Sequence, residues 1–123
     1  MFLVFDTETT GLPLNYRAPL SDFNNWPRMV QIAWQIHDIK GDLIEVKNYI
    51  IKPDGFTIPY NSEKIHGIST KLAETDGTDL EKVLKEFSGS IMKSKFIIGH
   101  NVKFDINVIG CEFYRKKIIS NNR

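Results

Sequence analysis

Two acidic residues stand where a cation-dependent reaction could use them. Asp6 and Glu8 follow the apolar residues 1–5 and are separated by Thr7 alone. Because side chains alternate between the two faces of a strand, Asp6 and Glu8 point to the same face and Thr7 points to the other. Ligands of open α/β sheets usually bind at this end of a central strand. The pair is therefore a candidate cation site, although two solvated acids at an exposed strand end would have the same sequence.

A third carboxylate is predicted to point inward. Asp105 falls within the apolar arc when residues 102–117 are placed on a helical wheel. A buried carboxylate is costly unless it has a metal, a cation or a raised pKa. Glu112 lies on the same side two turns later, which indicates that part of this side is open to solvent.

The three carboxylates should converge if the strand before Asp105 lies beside the first strand and parallel to it. Clustered oxygen ligands without cysteine and without a group of histidines favour Mg²⁺ or Mn²⁺ over zinc. Two such ions suit phosphodiester hydrolysis, in which one prepares the attacking water and the other stabilises the leaving oxygen.

The elements that must position these residues alternate between strands and helices. Apolar and β-prone runs predict four strands, of which the middle two form a hairpin: residues 2–5, 29–38, 43–52 and 96–99. The first strand should be covered on both faces and the last should be buried. Helical signals predict a short helix that ends before Gly67, a long helix that follows a capping box at 78–81, and a final helix at 102–117. This order indicates an α/β fold with a mixed sheet.

Size and composition predict one domain, residues 1–123. Sixteen Lys and Arg against fifteen Asp and Glu leave a net charge of +1, which excludes binding of nucleic acid through net charge alone. The single cysteine, Cys111, cannot form an internal disulfide, and no stretch approaches the ~20 apolar residues of a membrane span. No secretory signal pattern opens the chain. We therefore predict a cytoplasmic protein that has no membrane partner.

Three ordered motifs resemble those of the DEDD (DnaQ-like) 3′-to-5′ exonucleases, especially the proofreading epsilon-subunit-like branch of bacterial DNA polymerase III. They are D-T-E-T-T-G-L at 6–12, I-H-G-I at 65–68 and H-N-V-K-F-D at 100–105. The resemblance covers almost the whole chain. It implies a ribonuclease-H-like fold, two Mg²⁺ or Mn²⁺ ions, and removal of nucleoside monophosphates from DNA 3′ ends in replication.

The resemblance also implies catalytic and metal-binding roles. Asp6 and Glu8 would bind the metal ions, with Asp6 bridging both, and Asp105 would support the second ion through water.

The same resemblance implies a substrate-binding surface. The backbone at Thr9 and Gly11 would face the terminal nucleotide, Leu12 would wedge against the last bases, His66 would contact the terminal nucleotide, and Asn101 would shape the turn that presents the third carboxylate. From the residues alone, Leu12 suits loop packing, His66 a helix end and Asn101 an N-cap.

The sequence departs from the family pattern at a third motif, which would supply a general-base His or Tyr and a final Asp ligand. No His follows His100 and no Asp follows Asp105. We therefore expect an incomplete exonuclease domain without the last strand and C-terminal helix, and a chain that is inactive alone. The strand at 96–99 would then keep an open edge through which the chain self-associates.

Two other functions fit the same residues. One is an exoribonuclease acting on short RNA, since no reader of the 2′-hydroxyl can be identified. The other is a non-catalytic module that binds nucleic acid or a DNA polymerase subunit, with Tyr16, Phe23 and Trp26 of the Pro-rich loop 13–28 as stacking residues. Such aromatics more often pack on their own domain, and the basic residues 114–117 suit a solvated helix end better than a phosphate site.

Overall fold

Four strands form one mixed sheet in the computed structural model, which describes residues 1–118. They are β1 (Phe2–Thr9), β2 (Met29–His37), β3 (Leu43–Ile50) and β4 (Phe96–Ile98), in the spatial order β3-β2-β1-β4. The pairs β1–β2 and β2–β3 are antiparallel, and β1–β4 is parallel. The predicted hairpin is confirmed, and β4 lies beside β1 and parallel to it, which meets the condition stated for convergence of the three carboxylates.

Four helices accompany the sheet: α1 (Tyr60–His66), α2 (Thr70–Asp76), α3 (Leu80–Lys93) and α4 (Val102–Arg115). The short helix does stop at Gly67, which adopts the left-handed conformation that glycine favours, with φ 77°. The capping box predicted at 78–81 is wrong by one residue. Asp79 is the N-cap and accepts a hydrogen bond from the Lys82 amide, because Thr78 is held extended in a bridge to Ile51.

The long helices α3 and α4 pack on the same face of the sheet. Their apolar stripes meet the alternate inward residues of β1 and β2 in one core, which includes Leu3, Phe5, Trp34, Phe87 and Val108. The apolar spacing that predicted α3 is thus the spacing of its buried side. Within residues 1–118, no helix is long and apolar enough to cross a bilayer.

The opposite face of the sheet is uncovered in the described part of the chain. Val4, Val46 and Ile98 are 39%, 54% and 47% exposed on that face. The predictions that the first strand is covered on both faces and that the strand at 96–99 is buried are therefore wrong, because both long helices lie on the other side. The strand β4 is also an edge strand of the sheet.

A polar network joins β3 to α3. The Glu45 carboxylate accepts hydrogen bonds from the Ser90 hydroxyl and the Trp34 indole N–H, and it pairs with Lys93 at 3.4 Å. The hydrogen bond from Ser90 is the main cause that holds the pKa of Glu45 below its ordinary value of 4.5, while burial opposes this lowering. The ionised carboxylate is thus favoured by the fold.

Replacing Glu45 with glutamine should destabilise the protein by about 1 kcal/mol at neutral pH, since the amide makes weaker hydrogen bonds. A lowered folded-state pKa contributes stability that is fully present above the unfolded pKa and is lost as the pH falls through the folded pKa. Urea unfolding of both proteins from pH 7 downward should show their difference shrinking below pH 4.5, the ordinary pKa of the group. A constant difference across that range would contradict this assignment.

Candidate metal and nucleic-acid site

The pair Asp6 and Glu8 lies near the C-terminal end of β1, on the uncovered face of the sheet. In the ladder with β2, Asp6 is opposite Ala33 and Glu8 is opposite Gln31. Asp6 is exposed and Glu8 is partly exposed. The two residues are about 6.6 Å apart along the strand. The predicted shared face is confirmed, and Thr7 between them is 8% exposed on the covered side.

Asp105 lies in the first turn of α4 and is 3% exposed, so its predicted inward orientation is confirmed. The Thr7 hydroxyl donates a hydrogen bond of 2.6 Å to Asp105 Oδ1. Burial raises the pKa of the Asp105 carboxyl, the Thr7 hydrogen bond opposes the rise, and the charges of Asp6 and Glu8 add to it. The buried carboxylate therefore has a hydroxyl partner together with a raised pKa.

The three carboxylates share one electrostatic neighbourhood, because the first two affect the pKa of the third. They do not form a closed ligand cluster: in residues 1–118, no group of three or more His, Cys, Asp or Glu side chains is arranged to hold a metal ion. The donor set consists of hard carboxylate oxygens, which suit Mg²⁺ or Mn²⁺. The chemistry of the donors thus fits a divalent cation, with Asp6 and Glu8 as an open pair and Asp105 beneath the strand.

The residues after β1 form a tight, ordered turn. The Thr9 hydroxyl donates to the Gly11 carbonyl at 2.8 Å, and the Thr10 amide donates to the Arg28 carbonyl at 3.0 Å. Leu12, next in the chain, is 73% exposed. Packing of the Leu12 side chain within its own loop, suggested by the residues alone, is therefore wrong, and an apolar side chain faces solvent four positions after Glu8.

Helix α1 is attached to this turn, since the Ser62 hydroxyl donates to the Thr10 carbonyl at 2.6 Å. His66 ends that helix, and its Nδ1 accepts the Ile68 amide at 3.1 Å. In the neutral ring the proton is then on Nε2, a buried atom with no hydrogen-bond partner among residues 1–118. Asn101 is the N-cap of α4 by position, but its side chain makes no capping hydrogen bond.

Glu112 is fully buried, so the prediction of an open, solvated side at this position is wrong. Its carboxylate pairs with Arg28 at 3.2 Å and with Arg115 at 3.1 Å, and it accepts the Met29 amide at 2.8 Å. Arg28 and Met29 are distant from Glu112 in sequence. Arg28 supplies a positive charge and the Met29 amide supplies a hydrogen-bond donor, and both stabilise the Glu112 carboxylate in the interior.

Arg115 also fixes the loop 13–28. Its guanidinium donates to the carbonyls of Phe23 and Trp26 at 2.7 Å each. Trp26 is buried, whereas Tyr16 and Phe23 are exposed. Lys116 pairs with Asp54 at 3.0 Å. The interpretation of residues 114–117 as a solvated face is therefore wrong for Arg115, whose side chain is 10% exposed, while the pair of Lys116 with the exposed Asp54 lies at the surface.

Two residues near the carboxylates were not assigned a role from the sequence. The sequence predicted only that Thr7 points to the face opposite Asp6 and Glu8. This alternation of side chains along the strand was the one feature of the sequence that bears on the contact between Thr7 and Asp105. His100 lies close enough for its charge to lower the Asp105 pKa, the smallest of the named effects on that group.

A family model described as "Exonuclease" (RNase T) matches residues 3–121 of the chain. A PolC-type DNA polymerase III of Mycoplasmopsis pulmonis (strain UAB CTIP) is 32% identical over 126 residues, which cover 98% of this chain and 7% of that protein.

Solved structures of exonuclease I resemble the fold described above. Exonuclease I of E. coli in complex with a dT13 oligonucleotide has a TM-score of 0.73 and 27% identity over 93% of this chain. Exonuclease I with the inhibitor BCBP has a TM-score of 0.77 and 25% identity over 98% of this chain. The chain spans 23% and 25% of those two chains, respectively. With its ribonuclease-H-like sheet and its three motifs in order, the chain belongs to the exonuclease family, in the DnaQ-like 3′-to-5′ group.

Proposed function

We propose that this chain is the core of a divalent-metal-dependent 3′-to-5′ exonuclease that acts on DNA ends. The observation that carries the proposal is the arrangement of three carboxylates: Asp6 and Glu8 lie on the open face of β1, and the buried Asp105 accepts a hydrogen bond from Thr7, the residue between them. A dication would relieve the repulsion between such closely placed negative charges. Mg²⁺ and Mn²⁺ both suit these ligands.

A divalent ion bound here would supply Lewis-acid polarisation of the phosphate and a lower pKa for the attacking water. Asp6 and Glu8 would hold it from the open face of β1, and Asp105 would add negative charge from below. The exposed Leu12 and the turn at Thr9 and Gly11 would receive the 3′ terminus.

His66 and Asn101 would complete the binding surface for the terminal nucleotide. The Nε2–H of His66 has no hydrogen-bond partner among residues 1–118 and would donate to an acceptor oxygen of that nucleotide once this buried atom becomes accessible. The Asn101 side chain is exposed and makes no capping bond, which leaves its amide available.

These 123 residues should not hydrolyse DNA by themselves. No His follows His100 and no Asp follows Asp105, so a general base and a further carboxylate would come from outside the sequence in hand. An H-x(4)-D or Y-x(3)-D pattern in coding sequence after Arg123 would supply them.

Three finer proposals concern partners. The dT13 complex of exonuclease I supports single-stranded DNA as the substrate, and the PolC relative supports association with a polymerase in replication. The exposed β4 edge supports self-association. A cytoplasmic location remains our prediction from the single cysteine.

Manganese binding by the purified chain tests the proposal. Isothermal titration should detect weak Mn²⁺ binding that Asp6→Asn reduces by about tenfold or more, whereas Glu74→Gln, an exposed control on α2, should leave it unchanged. Equal Mn²⁺ affinity in the wild type and Asp6→Asn would contradict the proposed metal site.

A cleavage assay tests the expected inactivity. On a labelled single-stranded oligonucleotide the chain should show no cleavage above background. Mg²⁺-dependent shortening from the 3′ end that is lost in Asp6→Ala would overturn the inactivity and support the enzyme.

A second candidate is an RNA-directed exonuclease, because the same carboxylates serve either sugar. Competition between DNA and RNA oligonucleotides of one sequence separates the two substrates. A module that binds nucleic acid without a metal would bind equally well in excess EDTA, which the main proposal does not expect.

A further inference from the structure

The residue between the two candidate metal ligands has a contact that neither ligand shares. Thr7 and Asp105 are 98 positions apart in sequence, both are buried, and the Thr7 hydroxyl donates to Asp105 Oδ1 at 2.6 Å. Within residues 1–118, the Thr7 hydroxyl is a direct hydrogen-bond donor to the Asp105 carboxylate. This hydroxyl therefore helps to set the direction of the Asp105 side chain.

That hydroxyl is held rigidly. Thr7 is a β-branched residue in a strand, so its χ1 rotation is restricted, and its backbone pairs with Ile32 in the ladder between β1 and β2. The parallel pairing of β1 with β4 ends at Val4 and Ile98, before Thr7 is reached. Beyond that point the Thr7 hydrogen bond joins the first turn of α4 to β1.

The same short stretch of strand thus carries two functions on its two faces. Asp6 and Glu8 present carboxylates on the open face. On the covered face, the Thr7 hydroxyl donates a hydrogen bond to the third carboxylate, that of Asp105. A shift of Thr7 would move the third carboxylate relative to the first two.

We propose that Thr7 is a positioning residue, whose hydroxyl fixes the orientation of the Asp105 carboxylate relative to Asp6 and Glu8 and so sets the affinity of the site for a divalent cation. The inference rests on the proposed function, because it concerns the same metal site. Residues that orient a metal ligand typically change metal affinity by about 10- to 100-fold when they are removed.

Two substitutions and one matched control test this role. Thr7→Val keeps the branched shape and removes the hydroxyl, whereas Thr7→Ser keeps the hydroxyl. Ser90→Ala is the control, because Ser90 is also buried and also donates to a carboxylate, that of Glu45, in a network between β3 and α3. Mn²⁺ affinity is measured by isothermal titration, and thermal melting shows that each variant is folded.

Thr7→Val should weaken Mn²⁺ binding by about 10- to 100-fold, and Thr7→Ser should restore most of the affinity. Ser90→Ala should lower the melting temperature and leave the affinity unchanged. A folded Thr7→Val protein with wild-type affinity would overturn the proposal, and so would a Thr7→Ser protein as weak as Thr7→Val.

A metal-free readout separates this inference from the proposed function. Crystal structures of both Thr7 variants without metal should show Asp105 in its original rotamer with serine and in a different one with valine. An unchanged Asp105 rotamer in Thr7→Val overturns the positioning role whether or not metal binds. Absence of Mn²⁺ binding by the wild type would instead overturn the proposed metal site.

Discussion

Replacing Glu112 with glutamine should lower the free energy of unfolding by about 3 to 5 kcal/mol. The glutamine side chain has nearly the same volume, but it leaves two arginines without their buried counterion. Arg28 and Arg115 have side chains that are only 19% and 10% exposed, so water replaces the carboxylate poorly. The Met29 amide also loses a charged acceptor for its hydrogen bond.

Urea unfolding of the wild type and Glu112→Gln measures this loss. Glu81→Gln is the control, because Glu81 forms an exposed i,i+4 pair with Lys85 and should contribute no more than about 0.5 kcal/mol. A Glu112→Gln protein within about 1 kcal/mol of the wild type would contradict this prediction, because it would mean that the two arginines do not depend on the buried carboxylate.

The same variant should loosen the loop 13–28, because Arg115 is positioned partly by Glu112 and donates to carbonyls of that loop. Arg17 is exposed in the loop, so trypsin cleavage after Arg17 gives a direct readout. Cleavage should be faster in Glu112→Gln than in Glu81→Gln under native conditions.

Replacing Gly77 with alanine should destabilise the protein by about 3 kcal/mol, the upper part of the range for overpacking. An added Cβ would overlap the carbonyl oxygen of Ala73 and lie 2.6 Å from both Cα and N of Lys52. All of these are backbone atoms, so no rotamer change relieves the overlap. The Lys52 amide donates to the Thr78 carbonyl at 2.9 Å in this region, and that bond would be strained.

Gly89→Ala is the matched control for Gly77→Ala. Gly89 is exposed in the middle of α3, and an added Cβ there meets nothing within 4 Å. This substitution should stabilise the protein by about 0.5 to 1 kcal/mol through helix propensity. In thermal or urea unfolding, the free energy of unfolding should fall in Gly77→Ala and rise in Gly89→Ala. An unchanged free energy of unfolding in Gly77→Ala would contradict the close approach of the Gly77 backbone to the backbones of Ala73 and Lys52.

Local pattern was enough to predict most of the elements. The hairpin of β2 and β3, the helix α3 and the inward direction of Asp105 all follow from the period of apolar residues, which records burial directly. The parallel pairing of β1 with β4 was a condition and not a prediction, because strand order in a sheet depends on contacts between distant parts of the chain.

The remaining features depend on contacts between residues far apart in sequence. Glu112 looked solvent-exposed because its counterion Arg28 lies 84 residues earlier, and no local period reveals such a pair. The exposed face of β1 was missed because a continuous apolar run does not say how many faces are covered. Side-chain alternation along the strand predicted the direction in which Thr7 points. It did not predict the hydrogen bond to Asp105, because the two residues are 98 positions apart.

The hydrogen bond between Thr7 and Asp105 also has a consequence for the order of folding. β1, β2 and β3 lie within the first 50 residues and can pair without the later part of the chain, whereas Asp105 meets Thr7 only after a loop of 98 positions closes. Contacts of such separation form late, and Asp105 is synthesised after all three of these strands. We therefore expect nascent chains to present Asp6 and Glu8 on a sheet before Asp105 is in place, so that the three carboxylates of the proposed metal site come together only after the sheet has begun to form.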